Sequence, residues 1–388
     1  MRKRAMYLMD EHEKIQILQH LIQINSVNGN EAAVADYIQQ LFTAHGITAK
    51  QVPYTSGRSN LIAEIGDSTS DKVFSLAGHL DTVATGDPAD WQFDPFAAHI
   101  EGNRLYGRGS ADMKSGLAGM VITLLNLADH QDRLKGRLRF IGTVGEENGA
   151  MGSRMLTEQG LADDLSAMVI GEPTGGNIVY AHNGSLNYHV YSQGKGAHSS
   201  MPEKGINAVT NLAKYITAEA TAFDDVPVSP ELGPLVHSVT VFNGGDQVNS
   251  IPAKAELQGN IRPIPEFDNA AVIQRLTDVV DRLNEDPDQH LTLHIDYSFK
   301  PIISQQDSPL VQLTKRIADQ EFSRDTQLQV IHGATDASEF TKSANTFPVI
   351  VYGAGEWNEA HATDEYVDLD QFIHVQHVYQ QLAQNFLA

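Results

Sequence analysis

The chain has 388 residues, 41% of them hydrophobic, no cysteine, and 49 acidic against 27 basic side chains, for a formal net charge of −22. Its length favours two domains over one small core. The absence of thiols excludes disulfides, thiolate zinc sites, iron–sulfur clusters and cysteine nucleophiles and fits a reducing cytoplasm, and the acidity argues against nucleic acid or an anionic membrane as partner.

The basic start "MRKRAM" runs into the charged "DEHEK" and not into an apolar stretch, so it reads as a loose chain end and not a signal peptide. Apolar positions then recur at helical spacing over 11–24 and 31–45, separated by the turn-and-cap segment "NSVNGN". Strand-like runs follow at 60–65 and 73–77. Residues 113–127 read as a buried helix with small residues for close packing, 137–143 alternates like a strand, and 167–170 is a short buried strand. This alternation predicts an α/β domain with a mixed or largely parallel sheet, with functional groups at the carboxyl ends of its strands. The pattern changes near 182. Strands at 186–191, 238–243, 253–261 and 291–297, with helices at 208–219 and 270–283, predict a small α/β sandwich. It is inserted as 183–296 into a first domain made of 1–182 and 297–388, which resumes with a helix at 308–322, a strand at 346–352 and a last helix at 369–386. No run of about 18 apolar residues appears, so no transmembrane helix is expected.

Five side chains at strand ends or in glycine-rich loops carry the chemistry: His79 in "GHLDTV", Asp112 in "GRGSADMKSG", Glu147 in "GTVGEENG", Glu172 after "AMVIG" and His361 in "NEAHATDEYV". Two imidazoles and three carboxylates suit a pair of Zn²⁺, Co²⁺ or Mn²⁺ ions better than one structural zinc. Glu146 is left over beside them, and a spare carboxylate next to a metal site is the usual general base of metal-assisted hydrolysis. Asp81 lies two residues after His79, on the same face if the strand continues, where its carboxylate would orient the imidazole. Taken singly, each has a plainer explanation: a surface His with a capping Asp, an N-cap for the helix at 113, a solvated acidic turn, an exposed loop acid.

Taken together, "GHLDTV", "GRGSADMKSG", "GEENG", "GEPTG", "GKGAHSS" and "EAHATDEYV", in this order and over nearly the whole chain, resemble the co-catalytic zinc deacylases and exopeptidases. That family includes succinyl-diaminopimelate desuccinylase, acetylornithine deacetylase, glutamate carboxypeptidase and the aminoacylases. The resemblance implies two divalent ions, expected to be Zn²⁺. His79 and Glu172 would hold one, Glu147 and His361 the other, with Asp112 bridging, Glu146 as general base and acid, Asp81 supporting His79, and a cis peptide after Asp112. It makes the inserted domain a lid and dimerisation domain of a homodimer. His198 of "GKGAHSS" would reach the substrate carbonyl across the dimer, with Asn249 of "DQVNSIP" and Arg262 of "GNIRPIP" as substrate-binding residues. Read singly, His198 is also a surface His at a strand end and Arg262 half of a structural salt bridge. The segment "HGATDASEF" resembles the substrate loop of these enzymes. Glutamate at 172 points to the desuccinylase, deacetylase and carboxypeptidase branch. The expectation is an amidohydrolase acting on a small N-acyl amino acid, first N-succinyl-LL-2,6-diaminopimelate, with acetylornithine deacetylase or a glutamate-type carboxypeptidase as alternatives. A non-catalytic dimeric binding protein is the remote alternative.

Overall fold

The computed structural model describes residues 9–388, so the basic start of the chain, 1–6, lies outside the described residues. The chain divides into two compact units. The first comprises residues up to Tyr180 with Ile303–Gln329 and Thr335–Ala388; the second is Ala181–Ile302 with Val330–Ala334. The boundary expected at 297 falls inside the strand Leu291–Phe299. Its pairing with Ser185–Gln193 absorbs a bulge between Ile295 and Tyr297 and runs on to Phe299 opposite Ser185. The return of Val330–Ala334 to the second unit has no counterpart in the hydrophobic pattern.

A mixed sheet organises the first unit. Its central order is Ala49–Thr55, Arg58–Gly66, Arg137–Thr143, Val73–His79, Ala167–Ile170, Val349–Val351 and Ile178–His182. The four strands from Arg137–Thr143 to Val349–Val351 are mutually parallel, and the antiparallel strands flank them. Every residue of Val73–His79 is buried, as befits a strand with neighbours on both sides and helices over the sheet. The helix Lys114–Ala128 packs on that strand and on the last helix, Leu369–Phe386. All its residues are buried, which explains why its sequence is apolar all round.

In the second unit four antiparallel strands lie in the order Val236–Gly244, Lys254–Arg262, Ser185–Gln193 and Leu291–Phe299. Burial alternates along them, as a sheet with one covered face requires. Tyr188, Val190 and Leu257 on that face join one core with Leu212 and Tyr215 of the helix Ala208–Glu219 and Leu276 of the helix Asn269–Asn284. Each fully buried aliphatic side chain contributes about 1.5–3 kcal/mol. Both helices start at side-chain caps: Asn207 accepts from the amides of Val209 and Thr210, and Asp268 from that of Ala271. Among the described residues no helix is long and apolar enough to cross a membrane.

Three main-chain segments meet where the first unit must be most exact. A Cβ on Gly116 would lie 2.0 Å from the carbonyl oxygen of Gly171, and one on Gly353 would lie 2.3 Å from the same atom. The obstacle is backbone, which cannot swing aside as a side chain can. Gly116→Ala is therefore expected to lower stability by about 1–3 kcal/mol or more through overpacking. Urea unfolding checks it, and a wild-type midpoint would refute the close approach.

Candidate metal centre

The parallel strands deliver the acidic and imidazole groups to one edge of the sheet. His79 is the last residue of Val73–His79, Glu146 and Glu147 follow Arg137–Thr143, and Glu172 follows Ala167–Ile170 after a single glycine. The two glutamates lie in a short turn framed by Gly145 and Gly149, whose φ angles of 68° and 104° are in the left-handed region that glycine adopts without steric cost. Asp112 ends a glycine-rich loop, and the Asp112–Met113 peptide, expected cis, is cis. His361 comes from the loop before Tyr366–Asp368.

Asp112 stands between the two imidazoles. Its Oδ1 lies 3.0 Å from His79 Nε2, and its Oδ2 lies 3.3 Å from His361 Nε2. Glu172 Oε2 is 3.7 Å from His79 Nε2, and Glu147 Oε1 is 3.0 Å from His361 Nε2. Each half therefore has one imidazole, one glutamate and one oxygen of Asp112. The halves differ in exposure: the His79 side chain is 1% exposed, that of His361 51%.

His79 Nδ1 donates to the main-chain oxygen of Asp81 at 2.9 Å, which fixes the tautomer and leaves Nε2 facing the acids. Asp81 thus meets His79 through its main-chain carbonyl as well as its side chain. Its carboxylate lies 3.7 Å from that nitrogen and also accepts from the amides of Glu146 and Glu147, both at 3.2 Å. The strand ends at His79, so the period-two argument that puts both side chains on one face no longer holds at Asp81. The carboxylate thus supports the neighbouring turn.

Burial dominates the electrostatics. It pushes Glu172 up to about 8, with nearby Asp112 adding to the effect and His79 opposing it. It also raises Glu146, next to Glu172, well above the usual carboxylate range. Burial disfavours a charged His79, yet Glu172 and Asp112 outweigh it and raise that imidazole's pKa well above its ordinary value. His361 is raised to about 10 by its hydrogen bonds to Asp112 and Glu147. Two groups have ligand atoms all within 4.8 Å of one another: His79, Asp112 and Glu147, and His79, Glu146 and Glu172. Oxygen and imidazole donors at this spacing, with buried acids that resist ionisation without a cation, fit divalent ions of the zinc type.

One supporting residue has no role assigned from sequence. Asp336, buried within the "HGATDASEF" segment, accepts from Thr143 Oγ1 and Ser153 Oγ, each at 2.5 Å. It ties that segment to the end of the strand that leads into the Glu146–Glu147 turn, and the glycine in the segment was its one sequence signal.

The remaining site candidates lie in the second unit. His198 pairs with Ser250 in the two-residue strands Ala197–His198 and Ser250–Ile251, and the carbonyl of Asn249 accepts from the Ser199 amide at 3.1 Å. The Ser200 amide donates to His198 Nδ1 at 3.2 Å and the Ser200 hydroxyl lies 2.8 Å from the same nitrogen, an arrangement that suits a proton on Nε2. Arg262 ends the strand Lys254–Arg262, and burial lowers its pKa. Among the described residues no carboxylate forms a salt bridge with its guanidinium, so the structural-salt-bridge explanation fails.

Residues 75–385 match the model of peptidase family M20/M25/M40. A Staphylococcus epidermidis protein named probable succinyl-diaminopimelate desuccinylase is 34% identical over 408 residues, covering 98% of this chain and 100% of that protein. The crystal structure of an M20 family metallo-carboxypeptidase from Sulfolobus solfataricus has a TM-score of 0.80 at 18% identity, over 97% of this chain and 99% of that one. A dinuclear metal binding peptidase of the M20 family from Bacillus subtilis gives 0.72 at 18% identity, over 97% and 98%. At these identities the two solved structures establish the shared fold.

The two amides held by the Asp81 carboxylate have a measurable consequence. Asp81→Ala removes the acceptor for two amides and should cost about 1–3 kcal/mol in urea unfolding, whereas Asp81→Asn keeps one acceptor oxygen and should lose less. An alanine variant as stable as wild type would contradict the assignment.

Proposed function

The chain belongs to peptidase family M20/M25/M40, a family of metal-dependent hydrolases, and from that membership we propose that it is a dinuclear-metal amidohydrolase. It would remove an N-acyl group from a carboxylate-bearing, amino-acid-like substrate. The observation that carries this reading is the position of Asp112, one oxygen toward each imidazole and each imidazole beside its own glutamate. His79, Glu172 and Asp112 would hold one ion, and Glu147, His361 and Asp112 the other. The donor set favours Zn²⁺, with Co²⁺ and Mn²⁺ as substitutes. Bound there, such ions acidify water and stabilise negative charge on a carbonyl oxygen.

Glu146 is the proton carrier in this reading. It takes a proton as the water oxygen bonds to the amide carbon, and gives one to the amide nitrogen as the carbon–nitrogen bond breaks. Its burial favours the protonated state between these events. The outward Nε2–H of His198 suits donation to the developing oxyanion, contributed by the second copy in a homodimer whose lid and dimerisation domain is the second unit. Arg262 is desolvated and without an acidic partner, which supports a role in gripping the substrate's carboxylate with two hydrogen bonds, and Asn249 would lie beside the same substrate. N-Succinyl-LL-2,6-diaminopimelate is the first choice, supported by the name of the Staphylococcus epidermidis relative. N-Acetylornithine and C-terminal glutamate peptides are the competing substrates.

Three measurements test the reading. Glu146→Ala should keep its metals yet lose about 10²–10⁴-fold or more in kcat, and near wild-type turnover would refute the base. Arg262→Ala should raise KM with little loss of kcat on carboxylate-bearing substrates; unchanged kinetics on all of them would remove it from the site. A panel of N-succinyl, N-acetyl and dipeptide substrates, assayed with Zn²⁺, Co²⁺ and Mn²⁺, should give its highest kcat/KM on the succinyl compound, and a preference for either other class would replace that substrate.

A further inference from the structure

We infer that Arg108 and Glu365 form a positioning pair that holds the Asp112 carboxylate and the His361 imidazole in register. The inference rests on the reading of those two residues as metal ligands. Glu365 is fully buried, and four donors converge on its carboxylate. Oε1 accepts from the amides of Ala111 at 2.8 Å and Asp112 at 3.0 Å. Oε2 accepts from the amide of Gly109 at 3.1 Å and from Arg108 Nη1 at 2.6 Å. Three of the four are main-chain groups of the loop that presents Asp112, and one belongs to Asp112 itself. That amide can move little without stretching a bond to the pair.

The other end of the pair reaches the opposite loop. Arg108 is 2% exposed, its guanidinium lies 5.1 Å from the Trp91 ring centroid, and its Nη2 donates to the carbonyl of His361 at 3.3 Å. His361 needs such an anchor. Its φ of 64° and that of Asp364, 58°, lie in the left-handed region that non-glycine residues seldom adopt unless their surroundings impose it. Asp364 is held by accepting from the Gln92 amide at 2.7 Å. The His361 side chain is half exposed, so core packing does little to orient it, whereas His79 is enclosed. Stability alone is a weak reason for the pair, because desolvation roughly cancels the attraction in a buried ion pair and an apolar replacement is often neutral. What this pair does that an apolar pair cannot is join the two loops through directed hydrogen bonds. Its loss should therefore weaken the Glu147–His361 half of the centre, where it holds both Asp112 and His361, more than the His79–Glu172 half, which shares only Asp112 with it.

The test uses full-length protein stripped of metal. The double variant Arg108→Met/Glu365→Gln removes both charges together, so neither is left buried alone, and Arg108→Lys keeps the charge but loses the fork that spans Glu365 and the His361 carbonyl. Circular dichroism monitors folding, and Co²⁺ binding is followed by visible absorption and calorimetry. Wild type should bind two ions per subunit. In the double variant one binding step should weaken by about 10–100-fold, the usual effect of losing a group that orients a metal ligand, and the other by clearly less. Arg108→Lys should move the same step in the same direction, and it decides the matter if the double variant does not fold. A pair that served only stability would lower the melting temperature and leave both binding constants unchanged, and that result, or equal weakening of both steps, overturns the inference. A wild-type protein that binds fewer than two ions overturns the two-ion reading of the centre and this inference with it.

Discussion

The cost of desolvating carboxylates, to which repulsion among them adds, is the constraint that organises the first unit. Burial pushes Asp81, Glu146, Glu172, Asp336 and Glu365 upward in pKa. Asp112 alone among these buried acids moves down: burial opposes its charge too, but the imidazoles of His361 and His79 prevail. The supporting acids are answered from within the fold. Asp81 receives two amides, Asp336 two hydroxyls, and Glu365 three amides and a guanidinium. Glu146 and Glu172 lie in one group with His79, whose imidazole offsets the charge of each. The unmet charge is thereby concentrated at the place proposed for cations.

Such a cluster tolerates little movement, and the scaffold limits it by backbone contact. Parallel strands end at the same edge, so His79, the Glu146–Glu147 turn and Glu172 need no long loops to meet. Behind Glu172, Gly116, Gly171 and Gly353 let main chains approach more closely than any side chain would allow. The exposed half depends on polar ties instead, because His361 stands on a loop with left-handed residues and little core beneath it.

What could be read from the sequence follows from how local the determinants are. The enclosed strand Val73–His79 and the all-buried helix Lys114–Ala128 are apolar runs, visible without a structure. The acids and histidines stand beside glycines at strand ends, where composition changes abruptly, and the structure brings all six of His79, Asp112, Glu146, Glu147, Glu172 and His361 into one cluster. The strand Ala49–Thr55 is not legible because it is an edge strand, with Pro53 and polar residues that blur its alternation. The amide contacts of the Asp81 carboxylate are not legible, because the side-chain direction after His79 depends on where the strand stops. Glu365 carries no signal beyond following His361 by four residues; its work is done on amides that are 253 to 256 positions away in the chain. Long-range partners of this kind leave no mark on local pattern.

The strand Val349–Val351 lies inside its sheet, between Ala167–Ile170 and Ile178–His182, although it comes from the last tenth or so of the chain. A ribosome releases the chain from its start, so the two neighbours emerge long before the strand that separates them. Until it arrives, Ala167–Ile170 has an open side with unpaired main-chain groups, an invitation to pair with another nascent chain. The second unit faces no such delay, because its four-stranded sheet closes within Ser185–Phe299. Synthesis thus completes the four-stranded sheet of the second unit while the first still waits for an inner strand, and His361 finds its partners only near the end of translation.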